Sequence, residues 1–264
     1  MTITCLDTLI QHSDPLKEIF MMSNNSQPAE YEAVKRHGER YPNVTVVEWN
    51  RPFNYHKLNN WGVKHATKGK VLFLLNNDIE FNRNSIGLIR KMYEAASQPK
   101  TGAVGEVLLY KDKKTIQHAG VYLLPGGTAR HLYAGEKLKD VTNPANRVKY
   151  PYDISKSMRV GAVTAAAVMV ERAKFSQVGG FDERLIICSG DVDLCFRLIE
   201  KGYHNLLMGS DEGTFIHKES KTRGASVIPY ADFYGMYNSY IKHFDLKTGD
   251  KYLHWPKIRD LLHE

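Results

Sequence analysis

Cysteine is scarce in this chain: three residues among 264, at Cys5, Cys188 and Cys195. So few, so scattered, they exclude a disulfide framework and a zinc knuckle and fit a reducing compartment. Long apolar runs are missing too. Val71–Leu75 and residues 165–170 are the longest candidates, far short of the ~18 residues a bilayer-spanning helix needs. A basic start followed by an apolar stretch is also lacking: residues 1–20 carry Asp7, Asp14 and Glu18, so no signal peptide is expected. No repeat, low-complexity tract or Pro/Gly/Ser linker divides the chain. Clustered positive charge is rare. The formal charge is +7, yet only residues 111–114 are tightly basic, and they read as a solvated turn. A nucleic-acid binder needs a basic face interleaved with stacking aromatics, so no nucleic-acid partner is expected.

What remains is a globular composition, 42% hydrophobic and 25% charged, long enough for one large domain or two small ones. The first half alternates two periodicities. Residues 4–12, 28–40, 58–67 and 85–96 carry helical spacing; residues 18–22, 44–48 and 71–75 read as strands. Apolar strands alternating with helices imply a mostly parallel sheet with flanking helices. Ligands of such sheets bind at the carboxyl ends of the strands, where Ser23, Asn24 and Asn25, and then Asn76, Asn77 and Asp78, bring polar clusters. Further on, residues 104–109, 120–124 and 160–170 read as strands, 126–147 as a long polar loop, and 192–201 and 231–244 as helices.

Three segments can carry chemistry. Asp78, just past a buried strand and beside two amides, suits a hard divalent cation that bridges a diphosphate, and equally suits an Asx turn. Asp191, in Gly190-Asp191-Val192-Asp193, suits a helix cap or a general base facing a cleft. His217 suits a surface position or a metal ligand, with Lys218, Lys221 and Arg223 nearby to neutralise phosphate. Tyr234, Tyr237 and Tyr240 read as packing rather than as a platform for sugar.

In order and spacing these segments resemble the family 2 glycosyltransferases with the GT-A fold, in their rhamnosyltransferase-like subgroup. The matching text is Pro52-Phe53-Asn54-Tyr55 through Asn60, residues 74–80, His118-Ala119-Gly120, residues 179–183, residues 191–197 with Gly202-Tyr203, and residues 217–224. The resemblance implies an α/β, GT-A-like domain over residues 1–225 and a helical extension over 226–264. It implies transfer of a hexosyl or deoxyhexosyl group from a nucleotide-diphosphate sugar to a glycan or lipid-linked acceptor, with inversion. It implies a divalent metal, Mn2+ or Mg2+, held by Asp78 and His217, and Asp191 as catalytic base. Ser23, Asn24, Asn25, Asn54, Asn60, Asn76 and Asn77 would face the donor, and Phe181, Asp182 and Arg223 the acceptor. The scarce cysteines point to a cytoplasmic location, and a positive terminal helix would allow peripheral membrane contact for a lipid-linked acceptor.

Three positions depart from the family pattern. An apolar strand should precede the first helix, and without it neighbouring strands would keep unpaired edges; a shortened chain is the expectation. Ser23 stands where an Asp is common, and Gly190 where a Glu is common. A catalytically silent, glycan-binding relative is therefore the alternative.

Overall fold

The computed structural model describes residues 1–14, 16, 18–66, 68–83, 85–124, 128–218, 229–245 and 249–253. Arg223 lies outside them. In chain order the first elements are α1 (Thr2–Gln11), β1 (Ile19–Ser23), α2 (Pro28–Gly38), β2 (Val44–Glu48), α3 (Tyr55–His65) and β3 (Val71–Leu75). Proline at the start of α2 costs no hydrogen bond, because the first N–H groups of a helix have no partner in any case. Asn54 caps α3 by accepting the Lys57 N–H at 2.8 Å, so this helix begins three residues before its apolar spacing does.

The middle of the chain supplies β4 (Ile79–Glu80), α4 (Ser85–Ala96), β5 (Thr101–Glu106), β6 (Leu108–Leu109), β7 (Ile116–His118), β8 (Val121–Leu124), β9 (Thr128–His131) and α5 (Leu138–Val141). Then follow β10 (Met158–Val160), β11 (Ala167–Glu171), α6 (Arg172–Gln177), α7 (Gly190–Glu200), β12 (His204–Met208), β13 (Phe215–His217), α8 (Tyr230–Tyr240), β14 (Phe244–Asp245) and β15 (Gly249–Asp250).

The central sheet has the order β10-β12-β5-β11-β3. It is mixed: β5 and β12 run parallel, with α7 between them in sequence, while β11 is antiparallel to both β5 and β3. Helices flank it, and two apolar cores fill its faces. One core gathers Val163, Phe175, Phe181, Leu194 and Tyr240; the other gathers Leu9 of α1, Leu88 and Met92 of α4, and Phe81 and Phe215. Beside the central sheet, β4-β13-β6-β7 forms a second, smaller one. The β1–β2 pair is parallel and separate from both. Thus β1 pairs only with β2, and β3 only with β11, among the described residues.

Two stretches differ from their sequence-based expectation. Residues 160–170 are not one strand: β10 ends at Val160, β11 starts at Ala167, and the segment between crosses from the edge strand β10 past β12 and β5 to β11. Unbroken apolarity marks burial, not direction, and cannot tell a buried strand from a buried crossing. Residues 126–147 are not simply a loop. They include β9 and α5, and Leu132, Tyr133 and Val141 enter the main core. The strand expected over 104–109 breaks at Val107, whose carbonyl accepts the Phe215 N–H while β5 and β6 join different sheets.

α8 packs against α7, and its Met236 and Tyr240 belong to the main core. Of the three tyrosines, Tyr240 is core, whereas Tyr234 and Tyr237 are exposed. No disulfide joins the cysteines. Among the described residues, no helix is long and apolar enough to cross a membrane.

Candidate active site

Asp78 and His217 meet through the smaller sheet. β4, immediately after Asp78, pairs antiparallel with β13, and His217 sits opposite Ile79. Asp78 Oδ1 then lies 3.0 Å from His217 Nε2, with both side chains nearly buried. On the far side of the ring, His217 Nδ1 is 2.7 Å from Gln117 Oε1. An amide oxygen only accepts, so Nδ1 carries a proton, and in the neutral ring Nε2 then turns its lone pair toward the carboxylate. Two acceptors facing each other at this distance suit a shared cation. Ligands about 2.1 Å from an octahedral ion and cis to one another stand about 3 Å apart, which is the observed spacing. The pair is only two of the six positions of an octahedral shell: among the described residues no three His, Cys, Asp or Glu side chains converge on one point. A carboxylate oxygen and an imidazole nitrogen are a donor pair able to hold a divalent cation when other oxygen ligands and water supply the remaining positions.

Around this pair the strand-end residues are tied in place. The Lys218 N–H donates to the Asp78 carbonyl at 3.0 Å. The Lys218 ammonium pairs with Glu80 and, with Lys113, holds that carboxyl below its usual range. Cys5 of α1 donates its thiol to the Asn76 carbonyl. Burial, and then the Asp78 charge, pushes that thiol up to about 12, so it stays protonated and unreactive. Asn77 donates to Thr2 Oγ1 at 2.8 Å.

Asp191 approaches from the other side. It opens α7, and its half-buried carboxylate accepts the Val192 N–H at 2.9 Å and the Ala165 N–H at 3.1 Å. The crossing segment links the two halves of the site: the Ala166 carbonyl accepts the Asn76 N–H at 2.8 Å, and the Ala165 carbonyl accepts Tyr55 Oη at 2.9 Å. Asp193 is used differently. Its carboxylate binds Arg197 one turn on, and Arg197 also donates to the Val178 and Gly180 carbonyls. Ser189, just before α7, holds a left-handed φ of 67°, a backbone strain two residues from the candidate base Asp191.

A sequence model of glycosyl transferase family 2 matches residues 2–145. The chain belongs to glycosyl transferase family 2. This family 2 chain is 33% identical over 239 residues to the O-antigen biosynthesis protein RfbC of Myxococcus xanthus, covering 90% of this chain and 18% of that protein. It is 27% identical over 202 residues to an N-acetylglucosaminyl-diphospho-decaprenol L-rhamnosyltransferase of Mycobacterium tuberculosis, covering 70% and 62% of the two chains. It therefore spans less than a fifth of the first relative and under two thirds of the second. Solved structures with the same fold include GalNAc-T7 with UDP, GalNAc and Mn2+ (TM-score 0.59, 14% identity, 81% of this chain and 40% of that one). Another is the mannosyltransferase PcManGT of Pyrobaculum calidifontis with GDP-Man and Mn2+ (TM-score 0.55, 16% identity, 82% and 52%). The fold is GT-A-like.

The remaining residues singled out in the family 2 sequence separate into groups. Asn24 donates to the Trp49 and Arg51 carbonyls, Asn25 to that of Arg51, and Ser23 to Ser26; these bonds tie the turn after β1 to the segment after β2. Asn54 and Asn60 grip the loop before α7. Asn54 donates to the Glu183 and Leu185 carbonyls, and Asn60 exchanges two hydrogen bonds with the Phe181 backbone. The Phe181 ring, 2% exposed, packs among Tyr55, His56 and Phe175. It therefore has no open face for an acceptor. The Asp182 carboxylate is held below its usual range by the Arg184 guanidinium beside it.

Several residues that organise the site were not singled out in the sequence: Tyr55 and His56 lie within the matched segment, whereas Gln117 and Asp232 carry no motif of their own, and all four act through contacts distant in sequence. Asp232 of α8 accepts the N–H groups of Ile186, Ile187 and Cys188 at 2.5–2.9 Å. Gln117 carried a faint signal, since it stands immediately before the matched His118-Ala119-Gly120.

Proposed function

We propose that this domain is an inverting glycosyltransferase that moves a sugar from a nucleoside-diphosphate sugar to an acceptor hydroxyl in polysaccharide synthesis. The observation that carries the reading is the gathering, in a family 2 chain, of the Asp78–His217 pair and Asp191 around the bridge at Ala165 and Ala166. Asp78 and His217 would hold a divalent cation, which on binding supplies Lewis-acid stabilisation to the departing diphosphate. Asp191 stands at the start of a helix, with no ion pair among the described residues. It accepts the proton of the acceptor hydroxyl as that oxygen attacks the anomeric carbon opposite the leaving group. One displacement inverts the centre. Asn54, Asn60 and Asn76 hold the donor-side walls, and Asp182 lies on the acceptor side.

The relatives named for O-antigen synthesis and for a decaprenol-linked sugar make a glycan or lipid-linked acceptor the favoured class. A lipid-linked acceptor brings the domain to the cytoplasmic face of a membrane by peripheral contact.

The test is a thermal-shift series with UDP, dTDP, GDP and CDP, each with and without Mn2+. Ligand at about 100 times its Kd stabilises the native state by about 2.7 kcal/mol. One nucleotide raising Tm only with metal supports the reading and names the donor class. No shift with any nucleotide would overturn the donor site and leave a silent binding domain.

A further inference from the structure

Gln117 sits where regular strand geometry would not place it. In the β6–β7 ladder Leu108 pairs with His118 and Leu109 with Ile116, so one residue of β6 advances while β7 advances two. Gln117 is the extra residue, a β-bulge. Bulges unpair one residue and re-aim its side chain. Here the re-aimed amide crosses β6 and reaches His217 on β13, two strands away in the order β4-β13-β6-β7.

We propose that Gln117 is a positioning residue for the metal pair, fixing the tautomer and ring angle of His217 so that Nε2 and Asp78 Oδ1 present a preformed cis bite. The inference rests on the metal reading given above. It adds the residue that makes one of the two ligands competent. A ligating imidazole works as a neutral ring whose other N–H is engaged, and losing that outer partner weakens metal binding even when both ligands remain. Gln117 meets that need with an oxygen 2.7 Å from Nδ1 and a side chain only 7% exposed, out of reach of competing water.

The anchoring continues behind it. His118 Nε2 accepts the N–H groups of Gly120 and Thr164 at 3.2 and 3.3 Å, so its proton is on Nδ1, which faces His131 Nδ1 at 3.2 Å. Burial drives the His118 ring well below its usual protonation range. A neutral His118 therefore pins the bulged strand to the crossing segment that also carries the Asp191 contact.

The experiment uses the whole chain and two readouts, neither of them transfer activity. The first is the imidazole 1H–15N long-range spectrum of metal-free protein, which reports the His217 tautomer. Wild type should show a single Nδ1–H form; Gln117→Leu should show a mixture or the other tautomer; Gln117→Glu, which still accepts, should restore the first. The second readout is Mn2+ affinity, from the EPR signal of the free ion with MnCl2 alone. Gln117→Leu should weaken binding 10–100-fold, and Gln117→Glu should stay within a few-fold of wild type or bind more tightly. Far-UV CD checks that each variant folds. If wild type binds Mn2+ and Asp78→Asn loses it, yet Gln117→Leu binds at wild-type strength with an unchanged tautomer, the assignment of Gln117 is wrong and the metal pair stands. If wild type and Asp78→Asn bind equally poorly, the metal reading fails and this inference fails with it.

Discussion

The imidazole of His56 occupies the space in which any side chain at Gly190 would begin. A β-carbon at residue 190 would stand 1.9 Å from His56 Nε2. His56 is 1% exposed and donates its Nδ1–H to the Leu185 carbonyl at 2.8 Å, so the ring cannot step aside without losing that bond. The glycine found where the family commonly has Glu thus has a partner in α3. Gly190→Ala should cost about 1–3 kcal/mol, the usual range for overpacking a filled site. Combined with His56→Ala it should cost less than the sum of the two single changes. Urea titration of the four proteins measures this directly; additive effects would show that His56 is not what excludes the methyl group.

Asp191 and Asp193 lie on one turn of α7 and should respond oppositely to the same substitution. Asp191→Asn keeps the Ala165 contact and the fold but removes a proton acceptor, so transfer should fall at least 100-fold while Tm barely moves. Asp193→Asn breaks the Arg197 pair that steadies the Val178 and Gly180 carbonyls. Its main effect should be on stability, about 1 kcal/mol. Parallel measurement of initial rate and Tm separates them, and an active Asp191→Asn would remove it from the base role.

Asp232 holds the loop that leads into Asp191. Its carboxylate is fully buried and receives three successive backbone N–H groups. Asp232→Ala strands those donors, each loss costing about 1–3 kcal/mol when buried. We expect a lower Tm and faster hydrogen exchange over residues 186–188, together with reduced kcat. Unchanged exchange there would show that α8 does not support the loop before Asp191.

Glu106 is the costly residue of this fold. Both its carboxyl oxygens are buried and lack a hydrogen-bond partner among the described residues, and burial alone raises its pKa well above 4.5. A carboxyl raised in the folded state stabilises the protein below its unfolded pKa, and that stability is lost as pH climbs from there toward the folded value. Native stability should therefore decline as pH rises above about 4.5. Glu106→Met should flatten that slope and add about 1–3 kcal/mol at neutral pH. Denaturation at a series of pH values tests both claims; a Glu106→Met protein with the wild-type slope would mean another group is responsible.

Much of this molecule is written locally. The helix of Ser85–Ala96 and the strands of Val44–Glu48 and Val71–Leu75 coincide with their patterns, because a helix or strand buries one face and periodicity records which one. The polar clusters at Asp78, Asp191 and His217 were visible as chemistry for the same reason: carboxylates and an imidazole beside apolar runs need an explanation. The crossing at residues 161–166 was not legible, since a buried crossing and a buried strand share one composition. Neither was the bulge at Gln117, which exists only as a mismatch between two paired strands.

The sequence alone determined the family, the α/β alternation and the residue types available for catalysis, all of which depend on order along the chain. Tertiary structure alone decided which of them meet. Sheet pairing set His217 beside Asp78, the bulge carried Gln117 to His217, and the crossing joined Asn76 to Asp191. These contacts link residues far apart in sequence, and no local preference encodes such a distance; it emerges from the register in which strands and cores close.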